Sequence, residues 1–587
     1  MNNNNTRPSG STSKAGPCGT CGRQIKGQFV RALDAAFHID CFRCKDCNAA
    51  VANKFFPIDG PDDRQEPLCE YDYFKRRGLV CAKCDVPLRG SHITACGKKY
   101  HVEHFTCSVC PTLFGPQDSY YEHEGVVFCH WHYSTRFAVK CVSCNSAILK
   151  QSVEVDRGQR DGTFHPECYL VSKFWNVKIV PRPTVLPALT PSSPVDPAPT
   201  QFTYVAEEQQ TTAQSLKADQ DKMEAKVYAI WTNLSGFEES SAECISDMLT
   251  HVSAGGYLDA VRMAEKFILH VEVLFAAIDE IEDRFAASGV KGMSHVREAR
   301  MLCRKTVDLF TLLSHSSSNK PGSGMSQELL SLVTGIAHYL KILIRIALTG
   351  SLKLERELND GGTALGQFLE RMKALFKSGS DVRARRLVSF HQNGVAKLVA
   401  AYGYRSLAPE IAGESPFVGA GGGMKSPSDL CIVCGLTVEE DCVRLGTYQR
   451  WHLGCVKCAK SGCAKDASGS LSPHLQVRNP DSDGSSSEGS SRSTLRCPPA
   501  EVDQFVYEPK EGEPVTVAAI YCTDHGSMPP CRGGFEAVSR LEQYAFLLNV
   551  ALRRLFLLLK LRGAIGNEGR ASSPRHDRKK AARNGRH

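Results

Sequence analysis

Between residues 213 and 403 apolar side chains recur every three or four positions, the repeat that puts them on one face of an α-helix. Val261, Ala264, Ile268, Val271, Phe275, Ile278 and Glu282 trace one stripe, apolar until its last member. Leu329, Val333, Ile336, Leu340, Leu343 and Ala347 trace a second, and shorter stripes lie near 222–234, 297–313, 364–376 and 386–401. Gly255-Gly256, Lys320-Pro321-Gly322 and Gly361-Gly362 interrupt the pattern where helices should end. The stretch predicts an all-α bundle of about five to seven helices. Residues 336–348 are strongly apolar, but His338, Lys341 and Arg345 fall among them, which predicts a core helix rather than a membrane span. A further helix is expected over 535–562. Leu541, Tyr544, Leu548, Leu552, Leu555 and Leu559 share one face, and Phe546, Leu547, Phe556, Leu558 and Leu561 widen it until it demands burial.

Elsewhere the apolar pieces are short, and cysteine and histidine take over the rhythm. Cys18-x2-Cys21, His38-x2-Cys41, Cys44-x2-Cys47 and Cys69-x2-Asp72 form one set of eight donors. Cys81, Cys84, His101, His104, Cys107, Cys110, Cys129 and His132 repeat it in the same order. Zinc takes four soft or borderline ligands in a tetrahedron, and a C-x2-C turn presents two sulfurs from one tight loop. Cys141, Cys144, His165 and Cys168 repeat only the first half of the set. Cys431, Cys434, His452 and Cys455 repeat it once more, followed by an irregular second half, Cys458, Cys463, Cys522 and His525, with Cys497 as the rival for Cys522. Counted in quartets, these donors predict about seven zinc ions, all structural. Cys96, Cys244 and Cys303 lack partners at ligand spacing and read as ordinary thiols.

The residue after the second cysteine of such a turn favours a left-handed backbone, which Gly, Asn and Asp tolerate best. Gly22, Asn48, Asp85, Asn145 and Gly435 occupy that position; Pro111 cannot adopt positive φ, so its turn must be built differently.

Composition narrows the setting. The 26 cysteines would suggest disulfides in a secreted chain, but Met1-Asn2-Asn3-Asn4-Asn5-Thr6 opens no apolar signal, and thiolate metal sites need a reducing compartment. Much of the +8 net charge lies in residues 563–587, which include Arg578-Lys579-Lys580. The remaining chain is nearly balanced, which argues against nucleic-acid binding, and GATA-like knuckles would need a clustered basic face near the metals that the sequence lacks. His101-Val102-Glu103 with Cys107-x2-Cys110 faintly matches the zinc-deaminase signature, yet Thr106 stands where proline belongs and four protein ligands would leave no open metal position.

The order of ligands excludes a RING-type cross-brace, because Phe37 and Tyr100 precede the histidines where cysteine is required. With only Phe42-Arg43 or Phe105-Thr106 between two zinc knuckles, the run resembles the LIM domain, with His104 in place of the commoner cysteine. Phe42 and Phe105 should supply the small shared cores. The expected organisation is 1–16 disordered, LIM modules at 17–75 and 80–136, a half module at 140–175, a proline-rich linker at 176–212, the helical region at 213–403, and a linker at 404–429. A divergent module with a serine-rich insertion follows at 430–530, then the helix at 535–562 and a basic disordered tail at 563–587. P-x-x-P matches such as Pro191-Ser192-Ser193-Pro194 read as spacer.

This layout, with a closing helix that reads Ser539-Arg540-Leu541-Glu542-Gln543-Tyr544, resembles fungal LIM-domain Rho GTPase-activating proteins. The resemblance implies a cytoplasmic regulator of Rho-family GTPase signalling, at sites of polarised growth, acting on actin or the cell wall and binding proteins through its zinc modules. The family's catalytic domain follows its last LIM module and carries an arginine finger in G-x-F/Y-R-x-S-G. That motif does not occur in this sequence, and Arg553 and Arg554 lack its glycine and serine framework. The expectation is therefore a regulatory, non-catalytic chain; the alternative is a free-standing LIM adaptor of the paxillin kind.

Overall fold

A computed structural model of the chain describes residues 16–60, 64–156, 162–180, 208, 211–316, 327–358, 361–377, 389–392, 395–398, 402, 404, 428–463, 465–468, 505–508, 519–526, 532–533 and 535–565. The proline-rich linker, the Lys320-Pro321-Gly322 break, Gly419–Gly423, Cys497, the serine-rich insertion and the basic tail lie largely or wholly outside these residues, as does the start of the chain. Two compact units form, Met1–His165 with Arg182–Met223, and Pro166–Pro181 with Glu224–His587.

The first unit is a string of short antiparallel hairpins. Phe29–Ala32 pairs with Ala35–His38, and Phe56–Asp59 with Gln65–Leu68, before helix α1 (Glu70–Arg76). His92–Ala95 with Lys98–His101, then Tyr121–His123 with Val126–Phe128, repeat the plan and end in α2 (His130–Arg136). Hairpins this short cannot hold themselves in water and need an external clamp. Part of that clamp is apolar. Phe42 is buried against Phe37 and Phe55, at ring separations of 4.9 and 5.0 Å, and Phe105 against Tyr100, Phe114 and Tyr120. The aromatic residue between the two knuckles of each module, Phe42 or Phe105, thus lies in its core. Tyr71 donates to Asp85 at 2.7 Å and Arg89 bridges to Glu70 at 2.7 Å, which ties the end of the first module to the start of the second.

The second unit is helical. It contains α3 (Pro166–Trp175), most of α4 (Ala213–Ser253), α5 (Tyr257–Ala287), α6 (Val296–Ser316), α7 (Gln327–Leu358), α8 (Thr363–Lys377) and α9 (Arg540–Leu561). Helix α5 is its axis: Phe267, Ile268, Val271, Val273, Leu274, Phe275 and Ile278 are all buried, and burial extends beyond the one apolar stripe to Glu265, His270 and Glu272. It packs against α7, α8 and α9. Helix α7 is long and apolar enough to cross a bilayer by composition. Its buried side (Ile336, Leu340, Leu343, Ile344, Ala347, Leu348) nevertheless seats on α5, α6 and α8, and Lys341 pairs with Glu238 at 3.7 Å, so it packs into the bundle along one side. Leu329 and Val333, at the start of its stripe, are only half-buried; Leu332 takes the core position there.

One helical expectation fails. The stripe near 386–401 contains an antiparallel hairpin, Ser389–Gln392 with Val395–Leu398. The intervening Asn393-Gly394 is a strong hairpin signal, and four residues on either side are too few for a stable helix.

Two three-stranded sheets complete the second unit. Cys442–Leu445 lies between Gln449–His452 and Phe535–Val538, and Phe505–Glu508 lies between Ala519–Cys522 and Arg532–Gly533.

Candidate zinc centres

Each knuckle begins with a turn whose backbone decides where its two sulfurs point. Gly22, Asn48, Asp85, Asn145 and Gly435 all have φ between 54° and 69°. Each donates its N–H to the carbonyl of the knuckle's first cysteine, as Asn48 does to Cys44 at 3.0 Å. Pro111 has no N–H and cannot close that bond; the outer bond, Cys107 N to Thr112 O at 3.0 Å, and a contact of 3.0 Å between the Cys110 sulfur and the Thr112 hydroxyl hold its turn instead.

Around these turns the donors converge. The ligand atoms of Cys18, Cys21, His38 and Cys41 lie within 4.8 Å of one another, as do those of Cys81, Cys84, His101 and His104. The same holds for Cys107, Cys110, Cys129 and His132, and for Cys431, Cys434, His452 and Cys455. A zinc tetrahedron with Zn–S of about 2.3 Å and Zn–N of about 2.0–2.1 Å has S···N edges of about 3.6 Å and S···S edges of about 3.8 Å. Sγ to Nδ1 is 3.5 Å for Cys21–His38, 3.4 Å for Cys84–His101, 3.6 Å for Cys81–His104, 3.5 Å for Cys107–His132 and 3.4 Å for Cys434–His452. Cys110 and Cys129 are 3.9 Å apart. The donor set fits zinc in both chemistry and size.

The second site of the first module draws on Asp72. Its Oδ2 is 3.0 Å from the sulfurs of both Cys44 and Cys69, while Cys47 lies 3.7 Å from Cys69. Thiol groups at Cys47, Cys44 and Cys69 hold the Asp72 carboxyl below its ordinary range. The irregular half of the last module closes in the same way. Cys458 is 3.5 Å from Nδ1 of His525, Cys522 is 3.1 Å from it, and Cys463 is 4.0 Å from Cys522. The strand Ala519–Cys522, paired with Phe505–Glu508, delivers Cys522 to this group. In the half module Cys144 is 3.4 Å from Nδ1 of His165, and Cys168 follows on the first turn of α3.

Two histidines show how the ring is oriented. Nε2 of His165 is 3.2 Å from the carbonyl of Ala147, and Nε2 of His452 is 3.0 Å from that of Thr437. An N–H donated there leaves Nδ1 with its lone pair toward the sulfurs, the second-sphere arrangement that fixes a metal-binding tautomer. Both carbonyls stand three residues beyond the second cysteine of their knuckle, a positional signal that the ligand spacing alone does not reveal.

The thiols are unequal. Burial would raise the pKa of Cys18, Cys81 and Cys458, but backbone N–H groups aimed at each sulfur bring all three down to about 6, and Cys431 to about 7. Desolvation and the neighbouring sulfurs push Cys41 up to about 11 and Cys455 up to about 12. Each of these four knuckles therefore offers one ready thiolate, and the metal must displace the remaining protons. Structural zinc in such sites contributes roughly 10–16 kcal/mol of apparent folding energy, which is the clamp the short hairpins require.

Cys96, Cys244 and Cys303 stand outside the quartets. Cys244 and Cys303 are buried in the helical unit, and burial pushes their pKa up to about 11 for Cys244. Cys96 sits half-buried on a hairpin turn.

Residues 18–77 and 81–137 match the LIM domain family. Over 548 residues the chain is 39% identical to Rho-type GTPase-activating protein 1 of Schizosaccharomyces pombe, an alignment that covers 92% of this chain and 40% of that protein. It is 25% identical over 566 residues to the Rho-GTPase-activating protein LRG1 of Saccharomyces cerevisiae, covering 93% of this chain and 47% of that protein. The chain thus spans less than half the length of both curated relatives. LIM modules and quartets of this kind suit zinc at about five to seven sites.

Proposed function

We infer that this chain is a zinc-ordered protein-recognition assembly that regulates Rho-type GTPase signalling. The observation that carries the reading is the extent of the likeness. More than nine-tenths of the chain, helical region and last module included, aligns with proteins named for GTPase activation. A free-standing LIM adaptor would account for the tandem modules but not for that alignment, and is the less favoured reading.

In this function zinc is structural. The quartets Cys18/Cys21/His38/Cys41, Cys44/Cys47/Cys69/Asp72, Cys81/Cys84/His101/His104 and Cys107/Cys110/Cys129/His132 hold the tandem modules. Cys141/Cys144/His165/Cys168, Cys431/Cys434/His452/Cys455 and Cys458/Cys463/Cys522/His525 hold the rest. With four protein ligands each, these sites bind no substrate; they make the hairpins rigid enough to present a fixed surface to partner proteins of the pathway. The protein would work in the cytoplasm, at sites of polarised growth.

Acceleration of GTP hydrolysis needs a cation fixed beside the transferring phosphoryl group. Arg554 instead pairs with Asp429 at 2.5 Å, and Arg553 is partly desolvated on a helix that packs into the bundle. The purified, zinc-loaded chain should bind components of the pathway while leaving single-turnover GTP hydrolysis by a panel of Rho-family GTPases unchanged. Acceleration of roughly 10³-fold or more, the range an arginine finger supplies, that vanishes on changing one arginine would overturn the non-catalytic part. Loss of all partner binding to that panel and its known regulators would overturn the rest.

A further inference from the structure

The last module differs from the first two in how it ends. Those close on a short helix of their own, whereas here strand Phe535–Val538 lies along the first-knuckle hairpin, Cys442 opposite Val538 through Leu445 opposite Phe535. Phe535 meets Trp451 edge-on at 5.5 Å, and Val438, Val443 and Trp451 are buried around them. Ser539 follows at once, caps α9 by accepting from the N–H of Glu542 at 3.0 Å, and reaches Asp279 of α5.

From there the first turns of α9 are bonded to the knuckle on one side and to the bundle on the other. Gln543 donates to the carbonyl of Val438 at 2.7 Å and accepts from the thiol of Cys442 at 3.3 Å. Arg540 forks onto Asp441, with both distances 3.0 Å. Tyr544 donates to Glu440 at 2.9 Å and accepts from Arg300 of α6 at 3.1 Å. One and a half turns on, Asn549 donates to Glu272 of α5 at 2.6 Å in the buried interior. Leu541, Leu548, Leu552, Leu555 and Leu559 are buried, and α9 packs chiefly on α5 and α6.

The hairpin Cys442–Leu445 with Gln449–His452 is four residues a side, too short to persist without a clamp. His452 at its end and Cys455 just beyond belong to the quartet with Cys431 and Cys434. We propose that metal at Cys431, Cys434, His452 and Cys455 and the seating of α9 in the helical bundle are one cooperative event, so that the helical unit is folded only while this knuckle holds zinc. The last module is then a metal-dependent latch on the helical unit rather than an independent docking module. The inference rests on the zinc reading of that quartet, which metal content measures separately from the coupling.

The test uses the full chain. In the Cys431→Ser/Cys434→Ser variant, hydrogen exchange in 257–287, 296–316 and 540–561 should speed up at least tenfold; in Cys18→Ser/Cys21→Ser, which also loses one zinc, those segments should keep their protection. Unchanged protection in the first variant, with one zinc lost, overturns the coupling. If no zinc is lost, the quartet itself is misread. Because linkage is reciprocal, a second arm leaves every ligand in place. Gln543→Leu should release one zinc per chain to a colorimetric chelator at least tenfold faster while the others leave at their original rates. Release identical to that of the unaltered chain overturns the proposal even if the cysteine variant precipitates.

Discussion

The guanidinium carbon of Arg450 lies 4.2 Å from the centroid of the Phe546 ring, and none of the arginine side chain reaches solvent. A buried guanidinium survives only if its donors are spent. Nε donates to Gln543 at 3.0 Å, Nη1 to the carbonyls of Thr447 and Gln449, and Nη2 to the hydroxyl of Tyr404 at 3.2 Å, with Glu542 at 3.7 Å. Burial raises the pKa of Glu542, and Arg444 and Arg450 draw it back. Arginine meets these needs because its planar fork serves several acceptors at once.

Removing that charge should therefore cost more than its packing. Arg450→Met leaves Glu542 with Arg444 alone, and losing one member of a buried charge network costs about 3–5 kcal/mol. The remaining partner places the expected loss near the low end, about 3 kcal/mol. Denaturant unfolding of the full chain, followed by far-ultraviolet circular dichroism, checks this. A change below about 0.5 kcal/mol, typical of a surface site, would mean that the charge is not held as described.

Metal content distinguishes ligands from bystanders. Cys84→Ala should lower bound zinc by one ion per chain. Cys96→Ala should lower it by none, since Cys96 faces Glu122 on its hairpin turn instead of a quartet. Cys44→Ala should disturb both sites of the first module, because Phe42-Arg43 is all that separates them. Elemental mass spectrometry of the purified variants decides it; equal zinc loss from Cys96→Ala and Cys84→Ala would refute the quartet that contains Cys84.

Acid should unfold the helical unit through His270. The ring is fully enclosed, with Nδ1 2.8 Å from the carbonyl of Lys266, Nε2 3.0 Å from the hydroxyl of Ser240, and Phe237 beside it. Burial pulls its pKa from 6.5 down to about 4, partly offset by the Lys266 carbonyl. Since the folded value lies below the unfolded one, the neutral ring's contribution is complete above about pH 6.5. It drains away as pH falls toward 4, for a total of roughly 3 kcal/mol. Zinc loss in acid acts on every variant alike. His270→Gln should consequently show a shallower fall in denaturant stability across that window than the unaltered chain; parallel curves would sink the assignment.

Much of this molecule is written locally. A C-x2-C turn and the residue that must go left-handed after it span five positions, so Gly22, Asn48, Asp85, Asn145 and Gly435 announce their backbone without any knowledge of the fold. The stripe from Val261 to Ile278 likewise specifies a buried face, because a helix sets its own geometry and needs only something apolar to meet. The partner is another matter. That Phe535–Val538 pairs with Cys442–Leu445 and that Cys522 comes to stand beside Cys463 and His525 depend on segments far apart in the chain. Arg450 is the clearest case. An arginine in a short polar hairpin reads as a solvated charge, and only Tyr404, Glu542, Gln543 and Phe546, brought in from the far side of two unpatterned segments, make its burial favourable. Periodicity encodes which face of an element avoids water, but the choice of what covers that face is made by shape and charge in three dimensions.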